Sequence, residues 1–185
     1  MTLANRITLF RILLIPAFVV VFYLPFDWRY PVSALIFALA GITDWLDGYV
    51  ARKYEQTTAF GAFLDPVADK LMVAVALVLL VQKHPSAWFA VPAAVIVGRE
   101  IVISALREWM AELGKRASVA VSYVGKIKTT AQIASIIGLL FFSADVSPVM
   151  HGTAFVLFYI AAGLTLWSMF VYLKAAWPEL ISEDT

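Results

Sequence analysis

The chain contains no cysteine, and only 15% of its 185 residues are charged. Without cysteine, disulfide bonds, thiolate nucleophiles and cysteine-based metal sites are all excluded. Hydrophobic residues make up 62% of the chain, whereas soluble domains carry roughly 45–50% apolar and about 25% charged residues. A single small globule cannot bury that much apolar surface, so we expect lipid to surround much of the protein. The length suits one membrane domain over residues 1–185.

Six apolar stretches are long enough to predict transmembrane helices, each of which needs about 20 mostly apolar residues. Lysine and arginine accumulate in cytoplasmic loops. With both termini in the cytoplasm, the outer loops hold only Arg29 and Lys83. The sequence therefore predicts a multi-pass, all-α integral membrane protein with six transmembrane helices around a polar site that faces the cytoplasm. The six stretches lie near residues 7–24, 32–52, 61–81, 88–107, 120–143 and 152–173.

Four aspartates interrupt the second and third apolar stretches. An ionised aspartate inside a bilayer costs about 2.5–3.5 kcal/mol even on the lenient insertion scale, so these groups need partners. Asp44 and Asp47 are spaced i,i+3, and Asp65 and Asp69 are spaced i,i+4. Each pair therefore lies on one helix face. The short connection makes the two helices antiparallel neighbours, so the acidic faces oppose each other.

Converging carboxylates repel one another unless a cation lies between them. Oxygen ligands of this kind suit Mg²⁺ or Mn²⁺, so the spacing predicts a metal site. Ordinary ion pairs with Arg52, Lys53 and Lys70 are the alternative interpretation. Asp44 lies about 12 Å along the helix from Arg52, which places the predicted site near the cytoplasmic side.

The same region resembles the signature of the CDP-alcohol phosphatidyltransferase family at every fixed position. The signature residues here are Asp44-x2-Asp47-Gly48-x2-Ala51-Arg52-x8-Gly61-x3-Asp65-x3-Asp69. The segments FGAFLDPVADK, REIVISALREWMAELGKR and GKIKTTAQ are also similar to bacterial members of the family that use glycerol 3-phosphate. The likeness extends over nearly the whole chain.

The resemblance implies an enzyme of phospholipid biosynthesis in the bacterial inner membrane. It would transfer the phosphatidyl group of CDP-diacylglycerol to glycerol 3-phosphate and release CMP. The four aspartates would bind Mg²⁺ or Mn²⁺, as two ions, and Asp69 would also act as the general base. The family further implies a homodimer in the lipid bilayer, and no nucleic-acid partner is expected. Donor binding is implied for Asn5, Thr8, Asp44, Asp47, Gly48, Ala51, Arg52, Thr58 and Gly61; for Asn5 and Thr8, helix capping is the alternative.

The acceptor phosphate is a dianion, so its pocket requires cations. Arg99 is the first candidate because it lies inside the fourth apolar stretch, where an arginine needs a partner. A buried pair with Glu100 or with one of the aspartates is the alternative. Arg107, Lys126 and Lys128 lie at the predicted cytoplasmic ends of the fourth and fifth helices and would complete the phosphate-binding set.

Several other functions remain compatible with parts of the pattern. UbiA-type prenyltransferases also place aspartate-rich motifs on facing helices, but their motif lacks the Gly48, Ala51-Arg52 and Gly61 positions. A cation transporter would need polar groups along the whole path through the membrane, and residues 72–81 carry almost none. Within the family, serine, inositol phosphate, choline phosphate or phosphatidylglycerol are alternative acceptors.

Overall fold

The structure is a computed structural model that describes residues 3–53, 59–112, 123–143 and 145–182. Within these ranges all regular structure is helical, which confirms the predicted all-α class. The six helices follow the order of the six predicted stretches. Their bounds are α1 Leu3–Tyr23, α2 Arg29–Lys53, α3 Ala59–Lys83, α4 Ala87–Glu112, α5 Tyr123–Phe141 and α6 Pro148–Ser182.

Three helical segments in the described residues are long and apolar enough to cross a membrane: Asn5–Tyr23, Ala87–Glu112 and Pro148–Trp177. The charged groups of α2 and α3 lower their apolar character, and the apolar part of α5, Ile127–Phe141, is shorter. Many large apolar side chains point outward along the helices. Such surfaces are typical of a membrane protein, whereas a count of six spans stays a prediction.

Short connections and local caps determine where the helices begin. The Phe89 backbone N–H donates to Ser86 Oγ over 3.3 Å, so Ser86 caps the start of α4. Pro148 is the first residue of α6, a position where the missing N–H of proline costs nothing. The described connections 24–28 and 84–86 are short, so α1 runs antiparallel to α2 and α3 runs antiparallel to α4.

Aromatic and small residues pack the interior of the bundle. The rings of Phe18 on α1 and Phe37 on α2 lie 6.3 Å apart, and those of Phe89 on α4 and Phe158 on α6 stack at 4.4 Å. Helix α5 approaches α6 closely at Gly138, where an added Cβ would lie 2.7 Å from the Ala154 Cβ. Bulk is therefore excluded at this helix crossing.

The ion pairs of the described residues, and the hydrogen bonds next to them, gather at one end of the bundle. They join the N-terminal halves of α1, α3 and α5 to the C-terminal halves of α2, α4 and α6. These contacts place the halves side by side. This end of the molecule, here called the polar end, contains the predicted site.

Candidate active site

A buried arginine connects the aspartates of α2 and α3. The side chain of Arg11 on α1 is 1% exposed, and its Nη1 donates to Asp44 Oδ1 over 2.8 Å. The same nitrogen donates to Asp69 Oδ1. The two carboxylates, which are about half exposed, therefore converge on one cation. This confirms the predicted proximity of the acidic faces of α2 and α3.

The same face of α1 also reaches Asp65. Thr8 lies three residues before Arg11 and is 1% exposed, and its Oγ1 donates to Asp65 Oδ1 over 2.7 Å. Asn5, a further three residues back, is 6% exposed. Residues three apart share a helix face. Because Thr8 lies in the second turn of α1, it is beyond the capping position, and its hydroxyl supports a site aspartate instead.

The carboxylate and hydroxyl oxygens here are the donor types that Mg²⁺ and Mn²⁺ prefer. Among the described side chains, no three acidic or histidine groups lie close enough to hold a metal ion. Asp47, one of the four predicted ligands, is in α2, but its side chain is outside the described part. The chemistry of the donors fits a divalent ion, because Asp44 and Asp69 lie close enough together to contact the same cationic group, Arg11.

Several predicted donor-binding residues cannot be compared with the structure. Gly48, Ala51 and Arg52 belong to α2, but their side-chain surroundings are outside what is described, and Thr58 lies outside the described residues altogether. Gly61 is buried in the first turn of α3. Lys70, a possible ion-pair partner of the aspartates, instead donates to Ser104 on α4.

A small cavity adjoins the aspartates. It has a volume of about 140 Å³ and lies between α1, α2, α3 and α5. Arg11, Asp44 and Asp69 line it on one side, and Thr129 and Gln132 line it from α5. The remaining lining is mostly apolar, which keeps the local dielectric constant low and strengthens the charge interactions there.

Two of the four predicted acceptor-binding cations meet at one carboxylate. Glu100 Oε1 accepts from Arg99 Nη1 over 2.9 Å and from Lys128 Nζ over 2.7 Å. The Arg99 and Lys128 side chains are 11% and 7% exposed, and Arg99 Nη2 donates to Ser168 Oγ over 3.3 Å. The structure therefore shows the pair with Glu100 that was the alternative interpretation of Arg99. The cluster of two cations and one anion retains a net positive charge.

The other two predicted acceptor residues are placed differently. Arg107 is exposed and lines a second cavity of about 500 Å³ together with Lys70, Ser104 and Tyr172. In the described part of the chain, neither Arg99 nor Lys128 lines that cavity. The side chain of Lys126 is outside the described part. The structure thus brings Arg99 and Lys128 together but not Arg107 with them.

Arg11 is the functional residue that sequence reasoning missed. The sequence-based predictions gave it no role in the site. Its spacing offers a usable signal, because Asn5, Thr8 and Arg11 recur every three residues on one face of an otherwise apolar helix. An arginine in such a position needs a buried anion.

Comparison with known proteins identifies the family of this chain. Residues 1–167 match the CDP-alcohol phosphatidyltransferase family. A protein of Yersinia pestis (strain Pestoides F) named CDP-diacylglycerol–glycerol-3-phosphate 3-phosphatidyltransferase is 60% identical over 175 residues, or 95% of this chain and 94% of the relative. A protein of the same name from Salmonella paratyphi A is 58% identical over 177 residues, or 96% of each chain. The chain belongs to the CDP-alcohol phosphatidyltransferase family.

Proposed function

We propose that this chain transfers the phosphatidyl group of CDP-diacylglycerol to sn-glycerol 3-phosphate, giving phosphatidylglycerophosphate and CMP. The family match and the names of relatives about 60% identical along almost the whole chain support this reaction. The observation that carries the proposal is the convergence of Asp44 and Asp69 on one cation. The family match explains the aspartates without prenyl transfer or cation transport.

Asp69 acts as the general base. A hydroxyl of the acceptor attacks the phosphorus that bears diacylglycerol, its proton passes to Asp69, and the bond from phosphorus to the CMP oxygen breaks. Arg11 fixes the position of the Asp69 carboxylate. A base must lie within hydrogen-bond reach of the proton it takes, so this positioning is part of catalysis.

The donor pyrophosphate lies at the polar end, close to Asp44, Asp47, Asp65 and Asp69, which would hold two divalent ions. When bound, these ions neutralise the charge of the phosphates and of the departing CMP. Thr8 orients the Asp65 carboxylate. Asn5, Gly48, Ala51, Arg52, Thr58 and Gly61 complete the donor site in this proposal.

Arg99 and Lys128 bind the acceptor phosphate. Their shared partner Glu100 holds both cations in place and leaves a net positive charge for the dianion. Arg107 and Lys126 also belong to the acceptor set predicted from the sequence. Arg99 and Lys128 have the stronger support, because both contact Glu100.

We place the protein in the bacterial inner membrane with six spans, both termini in the cytoplasm, and the polar end facing the cytoplasm. The distribution of lysine and arginine supports this orientation. A homodimer is also proposed, on the basis of the family.

The test is CMP release by purified protein in detergent. We expect release from CDP-diacylglycerol with glycerol 3-phosphate, dependent on Mg²⁺ or Mn²⁺, and little with serine or inositol phosphate. Asp69→Asn should lower kcat at least about a hundredfold, because a positioned base contributes roughly 10²–10⁴-fold.

Asp27→Asn is the matched control, since Asp27 is exposed in the connection between α1 and α2, away from the polar end. It should release CMP like the unmodified chain. A preference for another acceptor would overturn the acceptor assignment and leave the reaction class standing. If the folded protein fails to release CMP with every acceptor tested, the proposed reaction is overturned.

A further inference from the structure

A buried amide on α5 has an unsatisfied oxygen close to the aspartates. Gln132 is 5% exposed, and its Oε1 has no hydrogen-bond partner among the residues that the structure describes. Nearly all buried polar groups in native proteins are hydrogen-bonded, and an unpaired one is costly. The exception therefore calls for an explanation, and a ligand that donates a hydrogen bond is one.

The surroundings of Gln132 indicate where such a ligand would lie. Gln132 lines the cavity of about 140 Å³ that Asp44 and Asp69 also line. A cavity of this volume holds several water molecules, so a hydroxyl-bearing part of the acceptor can enter it. A donor group in it would find the neutral oxygen of Gln132 on one side and the carboxylates on the other.

Lys128 lies one helical turn before Gln132. Residues four apart share a helix face, and one turn rises about 5.4 Å. Lys128 is fixed by its 2.7 Å contact with Glu100. Gln132 and Asp69 line the cavity, whereas Lys128 lies outside its described lining, one helical turn along α5 from Gln132. Glycerol 3-phosphate carries three matching groups: a phosphate, a secondary hydroxyl and the primary hydroxyl that attacks.

We propose that Gln132 forms a binding subsite for the secondary hydroxyl of the acceptor, which donates its hydrogen bond to Gln132 Oε1. This inference rests on the proposed function and on the assignment of Lys128 to the acceptor phosphate. With the phosphate and the secondary hydroxyl both held, the primary hydroxyl is directed towards Asp69. Gln132 is then a residue that determines acceptor specificity.

The test uses an acceptor that lacks only this hydroxyl. Propane-1,3-diol monophosphate keeps the phosphate and a primary hydroxyl, and leaves Gln132 unsatisfied. A site built to bind a hydroxyl discriminates against an analogue without it. In the unmodified chain we expect kcat/KM for CMP release to be about tenfold to a hundredfold lower with the analogue than with glycerol 3-phosphate.

The variant Gln132→Met removes the amide and keeps a side chain of similar length. It should lower kcat/KM for glycerol 3-phosphate to about the value for the analogue, while the analogue is used almost as well as before. Rates with the analogue thus report whether the variant is folded. Gln82→Met is the control, because Gln82 is an exposed glutamine at the C-terminal end of α3, and it should retain the discrimination.

The two substrates and two proteins form a cycle that isolates the contact between Gln132 and the hydroxyl. If the unmodified chain uses both acceptors equally well, the inference is overturned while the proposed function stands, and this comparison requires no variant. If Gln132→Met lowers both rates by the same factor, Gln132 has a structural role only and the inference is again overturned. Failure of both acceptors with the unmodified chain would overturn the proposed function and this inference with it.

Discussion

Among the described residues, ion pairs join the helices at the polar end, whereas aromatic rings, the ammonium group of Lys83 and hydrogen bonds between uncharged groups join them at the opposite end. Arg11 links three helices through carboxylates that are about half exposed. Away from these carboxylates, Phe89 and Phe158 stack in the interior. Lys83 donates to the carbonyl oxygens of Leu139 and Leu140 at the C-terminal end of α5.

This difference separates the apolar packing that stabilises the fold from the charged side chains of the proposed active site. Apolar packing in a close-packed interior has one good arrangement. A charged contact can exchange one ionic partner for another of the same sign. On the proposed function, the polar end would therefore accept ions and phosphates without a change in the helix packing at the opposite end. Three substitutions test this division, from the largest expected effect to the smallest.

Arg11→Gln should damage the polar end most. It leaves Asp44 and Asp69 facing each other without their cation. We expect the free energy of unfolding to fall by about 2 kcal/mol, a value typical of hydrogen bonds to charged groups and tempered by the partial exposure of both aspartates. CMP release should fall about tenfold to a hundredfold, as for residues that orient metal ligands.

Thermal unfolding in detergent and CMP release together measure this effect. Added Mg²⁺ should stabilise Arg11→Gln more than the unmodified chain, because the variant has lost its own positive charge between the carboxylates. Arg6→Gln is the matched control, since Arg6 is an exposed residue of the same helix. Equal behaviour of the two variants would contradict the role assigned to Arg11.

Gly138→Ala tests the packing away from the polar end. Its Cβ would lie 2.7 Å from the Ala154 Cβ, so α5 and α6 would have to move apart. Overpacking of this kind costs about 2 kcal/mol. We expect a lower unfolding temperature with unchanged kcat in the protein that remains folded, measured by the same two assays.

Gly163→Ala is the control for this substitution, because nothing lies within 4 Å of the added Cβ. Replacing a helical glycine with alanine there should be neutral or stabilising by up to about 1 kcal/mol. A loss of stability as large as that of Gly138→Ala would show that the close approach of α5 to α6 is not the cause.

Lys83→Met should have the smallest effect. It removes the ammonium group from the two carbonyls of α5 and from the ring of Tyr30, whose centroid lies 4.2 Å from Nζ. We expect a loss of about 1 kcal/mol in stability and no change in kcat. Lys174→Met, at an exposed position of α6, is the control; a drop in kcat specific to Lys83→Met would break the separation between the two ends.

The sequence predicted the helices well because long apolar stretches leave little choice of structure. Their ends were less predictable. The sixth stretch was placed at residues 152–173, whereas α6 extends from Pro148 to Ser182. An apolar stretch reports contact with lipid, but backbone hydrogen bonding continues into polar turns beyond it.

The candidate site was predictable where helical spacing alone decides it. Asp44 and Asp69 converge as their spacing predicted, and the pair of Arg99 with Glu100 is the alternative that the sequence offered for this arginine. Arg107 was grouped with Arg99, yet eight residues turn the helix by roughly 80° beyond two full turns, which carries Arg107 to another cavity. The contact of Arg11 with two other helices depends on how α1 packs, which a pattern within one helix does not contain.

The buried Arg11 has a consequence for how the protein is made. Carboxylates that depend on a metal for charge balance tie folding to the supply of that metal. Here the chain brings one counter-ion of its own, the Arg11 guanidinium on α1. Insertion and assembly of the bundle can therefore be completed before any ion arrives. A chelator should then stop catalysis and leave the protein folded, which makes activity reversible on return of the ion.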